Sequence, residues 1–351
     1  MRVRSFNSFL KEDIEVSLIL EQLLVEEAKP KKKTDSGGSD TKGKLHELLV
    51  GYHLMGGKHM AKHRDEEGDT PEQAHEKLKA KVSAEDYERM NYRAKSAADD
   101  IRKTVEKDGH KVHDVHWTSK PGDLETSTGI PATQKQDASD IVVHSKNKSG
   151  KVKHHGVSLK VTDGTSKHVP VSNPGMESTY GAQKILDKHR KSILRDYKKE
   201  LSGATNAEKR KEVVRNNPKM DSDIKSRNGQ TLHAIAKHVY DHLKKVSPDD
   251  LADHIKTHVL QSHPTPMQLQ GHEHLRHTTY NKKGMPQHTS HDPSEHYAHI
   301  FATPHKIHME HSGTQIHFFH DGKKFASHRI KFNSQSDPLS SVKGSGIGVG
   351  D

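Results

Sequence analysis

The segment from Asp137 to Asp163 reads DASDIVVHSKNKSGKVKHHGVSLKVTD and contains two candidate strands joined by a turn. Ile141 to Val143 form a short apolar run typical of a buried strand, and Val152 to Val161 predict a second strand after the polar turn. This spacing predicts a β-hairpin. Because the strands of a hairpin are antiparallel, Asp140 and Lys160 are expected to meet at one end of the sheet.

An aspartate and a lysine at one strand end can serve phosphodiester chemistry. Asp140 can hold a divalent metal ion, and Lys160 can orient a water molecule or balance developing phosphoryl charge. A surface hairpin with an incidental acid and lysine explains the same two residues equally well. The rest of the chain must therefore decide between the two interpretations.

At these residues the sequence resembles the PD-(D/E)XK superfamily of restriction-endonuclease-like nucleases. Asp140 matches the aspartate of that motif, and Ser158-Leu159-Lys160 occupies its second half. Ser158 stands where the family has a second acid, and Ala138 and Ser139, not proline, precede Asp140. The resemblance implies an α/β fold with an αβββαβ core, a Mg²⁺ (or Mn²⁺) cofactor, and a metal bound by Asp140 and the carbonyl of Leu159.

The resemblance also implies a replacement for the missing acid. In this superfamily the first core helix often supplies an acidic residue, which makes Glu47 the candidate catalytic and metal-binding carboxylate. Asp163 is a second candidate metal ligand. A solvated helical glutamate accounts for Glu47 equally well.

The order of elements before the hairpin agrees with that core. A helix is expected from near Lys42, and Thr70-Pro71-Glu72 is a helix-start signal for a charged helical region that runs to Asp108. Lys111 to Trp117 predict a strand. Helix, strand, strand with Asp140 and strand with Lys160 is the αβββ order of the superfamily.

Composition narrows the classes of partner. The 351 residues carry 57 Lys and Arg against 47 Asp and Glu, a net charge of +10, and only 29% of them are hydrophobic. Because of this positive charge, a polyanion such as DNA is the natural partner.

The absence of cysteine excludes disulfides and thiolate metal sites. We see neither an apolar run long enough to span a membrane nor a secretory signal. The 32 histidines are scattered, and most are expected on the surface.

Basic helices follow the hairpin. They predict a phosphate-binding face, although a solvated charged face fits the same residues. The candidate nucleic-acid-binding residues are Lys184, Lys188, Arg190, Lys191 and Arg195.

The first 27 residues predict an amphipathic helix, and residues 28–43 form a Lys/Gly/Ser-rich flexible linker. The opening MRVRSFNSFLKED resembles the capsid-targeting peptide of internal head proteins of tailed bacteriophages, and Leu24-Val25-Glu26 fits the cleavage rule of prohead proteases. The resemblance implies a prohead scaffold or protease partner, the virion interior as first location, and the host cytoplasm after infection. An ordinary terminal helix packed on the domain is the alternative.

The remaining boundaries follow from composition. We expect a nuclease-like domain at 44–262 with a basic helical insertion, an irregular His/Pro-rich connection at 263–295, an antiparallel meander at 296–334 and a Gly/Ser-rich tail at 335–351. The meander is expected to turn at Ser312-Gly313 and Asp321-Gly322.

Three functions fit these features. The first is a Mg²⁺-dependent DNA endonuclease packaged in a phage head. The second is a non-enzymatic basic DNA-binding internal head protein, and the third is a structural assembly protein. Metal-dependent cleavage separates the first from the others, and salt-sensitive DNA binding separates the second from the third.

Overall fold

The computed structural model describes residues 39–60, 63–107, 109–133, 136–162, 164–165 and 170–349. The expected targeting helix at 1–27, most of the linker and Asp163 lie outside the described residues. The chain forms two compact units. The first unit holds the described residues up to 165 together with Ser262–Ala302, and the second holds Pro170–Gln261 together with the chain from Thr303 onward.

Numbered in chain order, the α-helices are α1 Ser39–Leu54, α2 Pro71–Lys79, α3 Ala84–Val105, α4 Asp123–Thr128, α5 Met176–Tyr180, α6 Gln183–Asp196, α7 Lys198–Leu201, α8 Ala207–Arg215, α9 Pro218–Leu243, α10 Pro248–His254, α11 Pro266–Leu269, α12 Pro293–His296 and α13 Ala298–Phe301. A π-helix spans Ile255–Leu260, and a 3₁₀ turn spans Pro304–Lys306. The strands are β1 Lys111–Trp117, β2 Ile141–Lys146, β3 Val152–Val161, β4 Pro170–Ser172, β5 Glu273–Lys282, β6 Met285–His291, β7 Ile307–Ser312, β8 Gln315–His320, β9 Lys323–Phe332 and β10 Val342–Gly348.

The sheet of the first unit has the order β1-β2-β3-β5-β6. β1, β2 and β3 form an antiparallel meander, β5 runs parallel to β3, and β6 returns antiparallel to β5. The α/β class and the αβββ order expected from the sequence are confirmed. Helices α1 and α3 bury their apolar side chains against this sheet in one core, for example Leu45, Ile101 and Ile141.

Local signals explain where the helices begin. Thr70 caps α2 and Pro71 is its first residue; the Thr70 side chain accepts from the Gln73 backbone and the Gln73 side chain accepts from the Thr70 backbone. The predicted helical region that starts here is interrupted after Lys79, and Ser83 caps the next helix, α3. None of the described helices is long and apolar enough to cross a membrane.

The second unit is a sheet of order β4-β10-β9-β8-β7 with helices packed on one face. The sequence predicts that the basic helices are an insertion in the nuclease-like domain. The structure contradicts that expectation. These helices belong to a separate unit with the C-terminal strands, because the buried stripe of α9, which includes Ile235 and Val239, packs against that sheet.

The expected irregular connection at 263–295 is wrong, because it contains β5 and β6. The sequence of β5 is polar, yet His277, Thr278 and Thr279 are almost fully buried between β3 and β6. The hairpin turns at Lys283-Gly284, where both residues have positive φ (53° and 79°) as a type I′ turn requires. The sequence does not reveal these two strands because many of their buried side chains are polar.

Two C-terminal expectations also need correction. The stretch from His296, expected to be the first strand of the meander, continues in short helices up to Phe301. The tail is not frayed, since β10 occupies an interior position in the second sheet. Its glycines permit close packing: a Cβ on Gly344 would collide with the His328 ring, and one on Gly346 with the carbonyl of Val259. Glycine here indicates packing and not disorder.

Candidate active site

Asp140 lies immediately before β2, where the pairing of β2 with β3 ends. Its carboxylate oxygen Oδ2 accepts a hydrogen bond of 2.6 Å from the backbone N–H of Leu159 and lies 3.5 Å from Lys160 Nζ. Both side chains keep about a quarter of their surface exposed, 25% for Asp140 and 27% for Lys160. The structure thus brings together the acid and the lysine of the predicted hairpin, within reach of solvent.

Glu47 projects from α1 to the same place. Its Oε2 accepts a hydrogen bond of 3.0 Å from Nε1 of the fully buried Trp117 at the end of β1. Burial and the negative charge of Asp140 raise the pKa of Glu47 to about 8, although Trp117 and Lys160 oppose the shift. Trp117 is the register partner of Ile141, which directly follows Asp140, so the hydrogen bond to Trp117 places Glu47 beside the strand end that carries Asp140.

The main chain contributes a third oxygen. Asp140 donates its backbone N–H to the carbonyl of Val157, whereas Thr162 donates to Thr279 on β5. Odd-numbered residues of β3 thus direct their N–H and C=O groups toward β2. The carbonyl of Leu159 points to that side at the position where β2 has ended and Asp140 stands.

This donor set fits a hard divalent cation. Two carboxylates and a carbonyl offer oxygen ligands, and water molecules can complete the octahedron that Mg²⁺ prefers. Burial and the Asp140 carboxylate disfavour the charged form of Glu47, and a bound cation would favour that form. Among the described residues no group of three or more His, Asp or Glu side chains could hold a metal ion, so a site here needs the carbonyl of Leu159. Asp163 lies outside the described residues.

Ser158 stands in the gap left by the missing acid. It is buried, and on the neighbouring strand Arg276, also buried, is its register partner. The side chain of Arg276 therefore lies on the same face of the sheet as Ser158 and Lys160. Sequence reasoning missed Arg276 because β5 carries no alternating apolar pattern that would have identified it as a strand.

The predicted phosphate-binding residues separate into two groups. Lys184, Lys188 and Lys191 are exposed at helical spacing on α6, and Arg195 is exposed beside Asp196. Arg190 is buried, lies 3.6 Å from Glu177, and donates to the carbonyl of Ser340. Arg190 is therefore a packing residue, and its expected role in DNA binding is wrong.

The histidines are not mainly surface residues, contrary to expectation. His116, His144, His154 and His272 form a row across the first sheet, with successive ring centroids 4.2, 4.7 and 4.5 Å apart. Burial, together with the charges of His272, His155 and His116, lowers the pKa of His154 to about 4. The imidazole of His154 is therefore neutral at pH 7 and serves as an interior hydrogen-bonding group.

The raised pKa of Glu47 predicts pH-dependent metal binding. Without metal, the carboxyl is largely protonated at pH 7, so binding a cation must displace its proton. Affinity for Mn²⁺ should therefore weaken by roughly tenfold per pH unit below about pH 7 and level off above pH 8. Calorimetric titration of the DNA-free protein with Mn²⁺ between pH 6 and 9 measures this.

The Glu47→Gln substitution removes both the titrating carboxyl proton and one metal ligand. Mn²⁺ binding by this variant should therefore be weaker than in wild type, and it should lose the pH dependence. Glu88→Gln, an exposed glutamate of α3, is the matched control and should behave as wild type. Equal, pH-independent affinities in all three proteins would return Glu47 to a purely structural role.

Comparisons with known proteins add little beyond this geometry. No family model matches the chain, and no curated protein matches it. Among solved structures, the restriction endonuclease MspI in complex with its cognate DNA is similar at 10% identity and a TM-score of 0.30, covering 98% of this chain and 100% of that one. A TM-score of this size does not establish a shared topology. The interpretation of the site therefore rests on its own residues.

Proposed function

We propose that the protein is a Mg²⁺-dependent endonuclease that hydrolyses phosphodiester bonds in DNA. The observation that carries the proposal is the convergence of Glu47, Asp140 and Lys160 from a helix and two strands on one partly exposed strand end. When Glu47 has lost its proton, Glu47 and Asp140 carry like charges and Lys160 the opposite charge, an arrangement suited to a cation and a phosphate. The net charge of +10 suits the same substrate.

Each residue has a defined task in this proposal. Asp140, fixed by the Leu159 N–H, and Glu47, fixed by Trp117, would hold the metal with the carbonyl of Leu159. Bound metal would supply Lewis-acid stabilisation of the phosphate oxygens. Lys160 would hold the attacking water by a hydrogen bond and stabilise the negative charge that grows on the phosphoryl group.

The direct test is incubation of the purified full chain with supercoiled plasmid. Nicked or linear product is expected with Mg²⁺ or Mn²⁺ and none with EDTA. Plasmid that stays supercoiled under both metal conditions would overturn the proposal, while cleavage that persists in EDTA would overturn its metal dependence.

We also propose that the protein is packaged in a phage head through residues 1–27, on the strength of the targeting-peptide resemblance alone. A tethered helix makes few contacts with a domain core, so removal of residues through Glu26 should change the thermal unfolding midpoint by no more than about 1 °C. The same truncation should abolish packaging, which mass spectrometry of purified virions measures.

The virion experiment also tests processing. A packaged chain that begins at Glu27 would support cleavage after Leu24-Val25-Glu26. An intact Met1 in virions, or a truncated protein that unfolds many degrees earlier, would make the segment part of the fold and remove the argument for targeting.

A further inference from the structure

In the sheet of the second unit, one face is apolar, and the other carries a cluster of cations at one end, with Glu310 on the same face two strands away from Arg329. Ile330, Phe332 and Val342 are buried on the face that packs against the helices. The alternate positions of β9 and β10 carry Arg329, which is exposed, and Lys331 and Lys343, which are half-buried. We call these three residues the basic face.

The register brings these charges together. Lys331 is the direct cross-strand partner of Lys343, and Arg329 lies two residues before Lys331 on the same face. Like charges placed directly opposite each other in a sheet are destabilising. Burial and the charges of Arg329 and Lys343 lower the pKa of Lys331, as crowding of cations requires.

No anion within the described residues offsets this crowding. Neither an ion pair nor a side-chain hydrogen bond joins Arg329, Lys331 or Lys343 to any described residue. Elsewhere in the same unit, exposed cations are commonly paired, as in Lys237–Asp241 and Lys225–Asp221. Three mutually repelling cations without an ion pair among the described residues indicate that an anion from elsewhere binds this surface.

We infer that the basic face is a second DNA-binding surface, which binds the phosphate backbone through residues other than those of the candidate active site. The choice of DNA among polyanions rests on the proposed function. The geometry suits backbone contacts, because strand residues two apart lie roughly 7 Å from each other and neighbouring strands about 4.8 Å apart, so the cations can contact several phosphates at once. Such contacts carry no base specificity.

The test is fluorescence anisotropy of a labelled random-sequence duplex, measured with the full chain in EDTA over a range of NaCl concentrations. The slope of log K against log salt is negative, and each lost phosphate contact reduces its magnitude by about 0.9. Arg329→Gln/Lys331→Gln/Lys343→Gln should therefore bind at least about tenfold more weakly near 0.1 M salt, with a slope smaller by roughly 2 to 3.

The matched control removes the same charge elsewhere in the unit. Lys219→Gln/Lys244→Gln/Lys245→Gln changes three exposed lysines and should alter affinity much less. The basic-face variant loses no ion pair, so its thermal midpoint should equal or exceed that of wild type. If the triple variant misfolds, the single variant Arg329→Gln, at an exposed position, should still lower the slope by about one.

The outcomes distinguish this inference from the proposed function. Equal slopes and affinities for wild type and the basic-face variant would overturn the inference while leaving plasmid cleavage by wild type intact. Weakened binding by the variant, with no cleavage by wild type, would support the inference and overturn the nuclease. If wild type bound acidic polypeptide or RNA more tightly than duplex DNA through these residues, DNA would be the wrong partner.

Discussion

Asp140→Asn should abolish metal-dependent DNA cleavage, with a loss of activity of at least about a thousandfold. The amide is nearly isosteric with the carboxylate, and its oxygen can still accept from Leu159 N–H, so the strand end should remain intact. What the variant loses is the charge that binds the cation and orders Lys160. Initial rates of plasmid nicking with saturating Mg²⁺ measure the effect.

Lys160→Ala should reduce the same rate by about 10² to 10³, the range found when one preorganised donor to a developing oxyanion is removed. DNA affinity in EDTA should change by less than about threefold in both variants, because they alter the chemistry and leave the basic face untouched. A rate loss with unchanged binding is the signature that separates a catalytic role from a structural one.

Two substitutions on α3 serve as controls, since they remove the same functional groups from the same unit. Asp99→Asn and Lys95→Ala affect exposed side chains and should leave nicking rates within about twofold of wild type. If Asp140→Asn and Lys160→Ala cut DNA as fast as these controls, the assignment of the site to this hairpin would be wrong.

The hairpin could be predicted from sequence because its information is local. The apolar run at Ile141, the turn residues after Lys146 and the strand from Val152 stand consecutively, and the observed register follows from them. The convergence with Glu47 could not be derived this way. It depends on a contact with Trp117, 70 residues away in sequence, and only the family resemblance suggested it.

Strand β5 shows why the rest of the first sheet was missed. Sequence patterns identify buried strands by their apolar residues, but β5 buries His274, Arg276 and His277. Polar side chains can occupy interior positions where they find hydrogen-bond partners, as His274 does in Ser139. Such burial depends on the three-dimensional neighbours and leaves no periodic signal in the chain.

Arg190 is a different case, because a signal was present. It lies four residues after Leu186 and four before Leu194, on the apolar stripe of α6, whereas Lys184, Lys188 and Lys191 follow the opposite stripe. Helical periodicity alone therefore separates the buried arginine from the exposed lysines. The number of basic residues alone does not reveal the face of the helix on which each one lies.

Arg210→Ala should destabilise the second unit by about 3 to 5 kcal/mol. The guanidinium is fully buried and binds Asp337 in a bidentate pair, with Nε to Oδ1 at 2.7 Å and Nη2 to Oδ2 at 3.0 Å. Truncation would leave the carboxylate of Asp337 buried without its partner. Asp337 directly precedes the turn into β10, so this pair anchors the segment that leads into that strand. Urea unfolding followed by circular dichroism measures the loss.

A large loss alone would show only that Arg210 is well packed, so the pair needs a second comparison. Arg210→Met/Asp337→Leu removes both charges while keeping the apolar volume, and it should recover most of the lost stability. Lys237→Ala breaks an exposed pair on α9 whose side chains are 61% and 47% exposed, and it should cost less than about 0.5 kcal/mol. If Arg210→Ala cost no more than Lys237→Ala, the C-terminal segment would not be held by this pair. The order of β10 would then depend on its strand pairing alone.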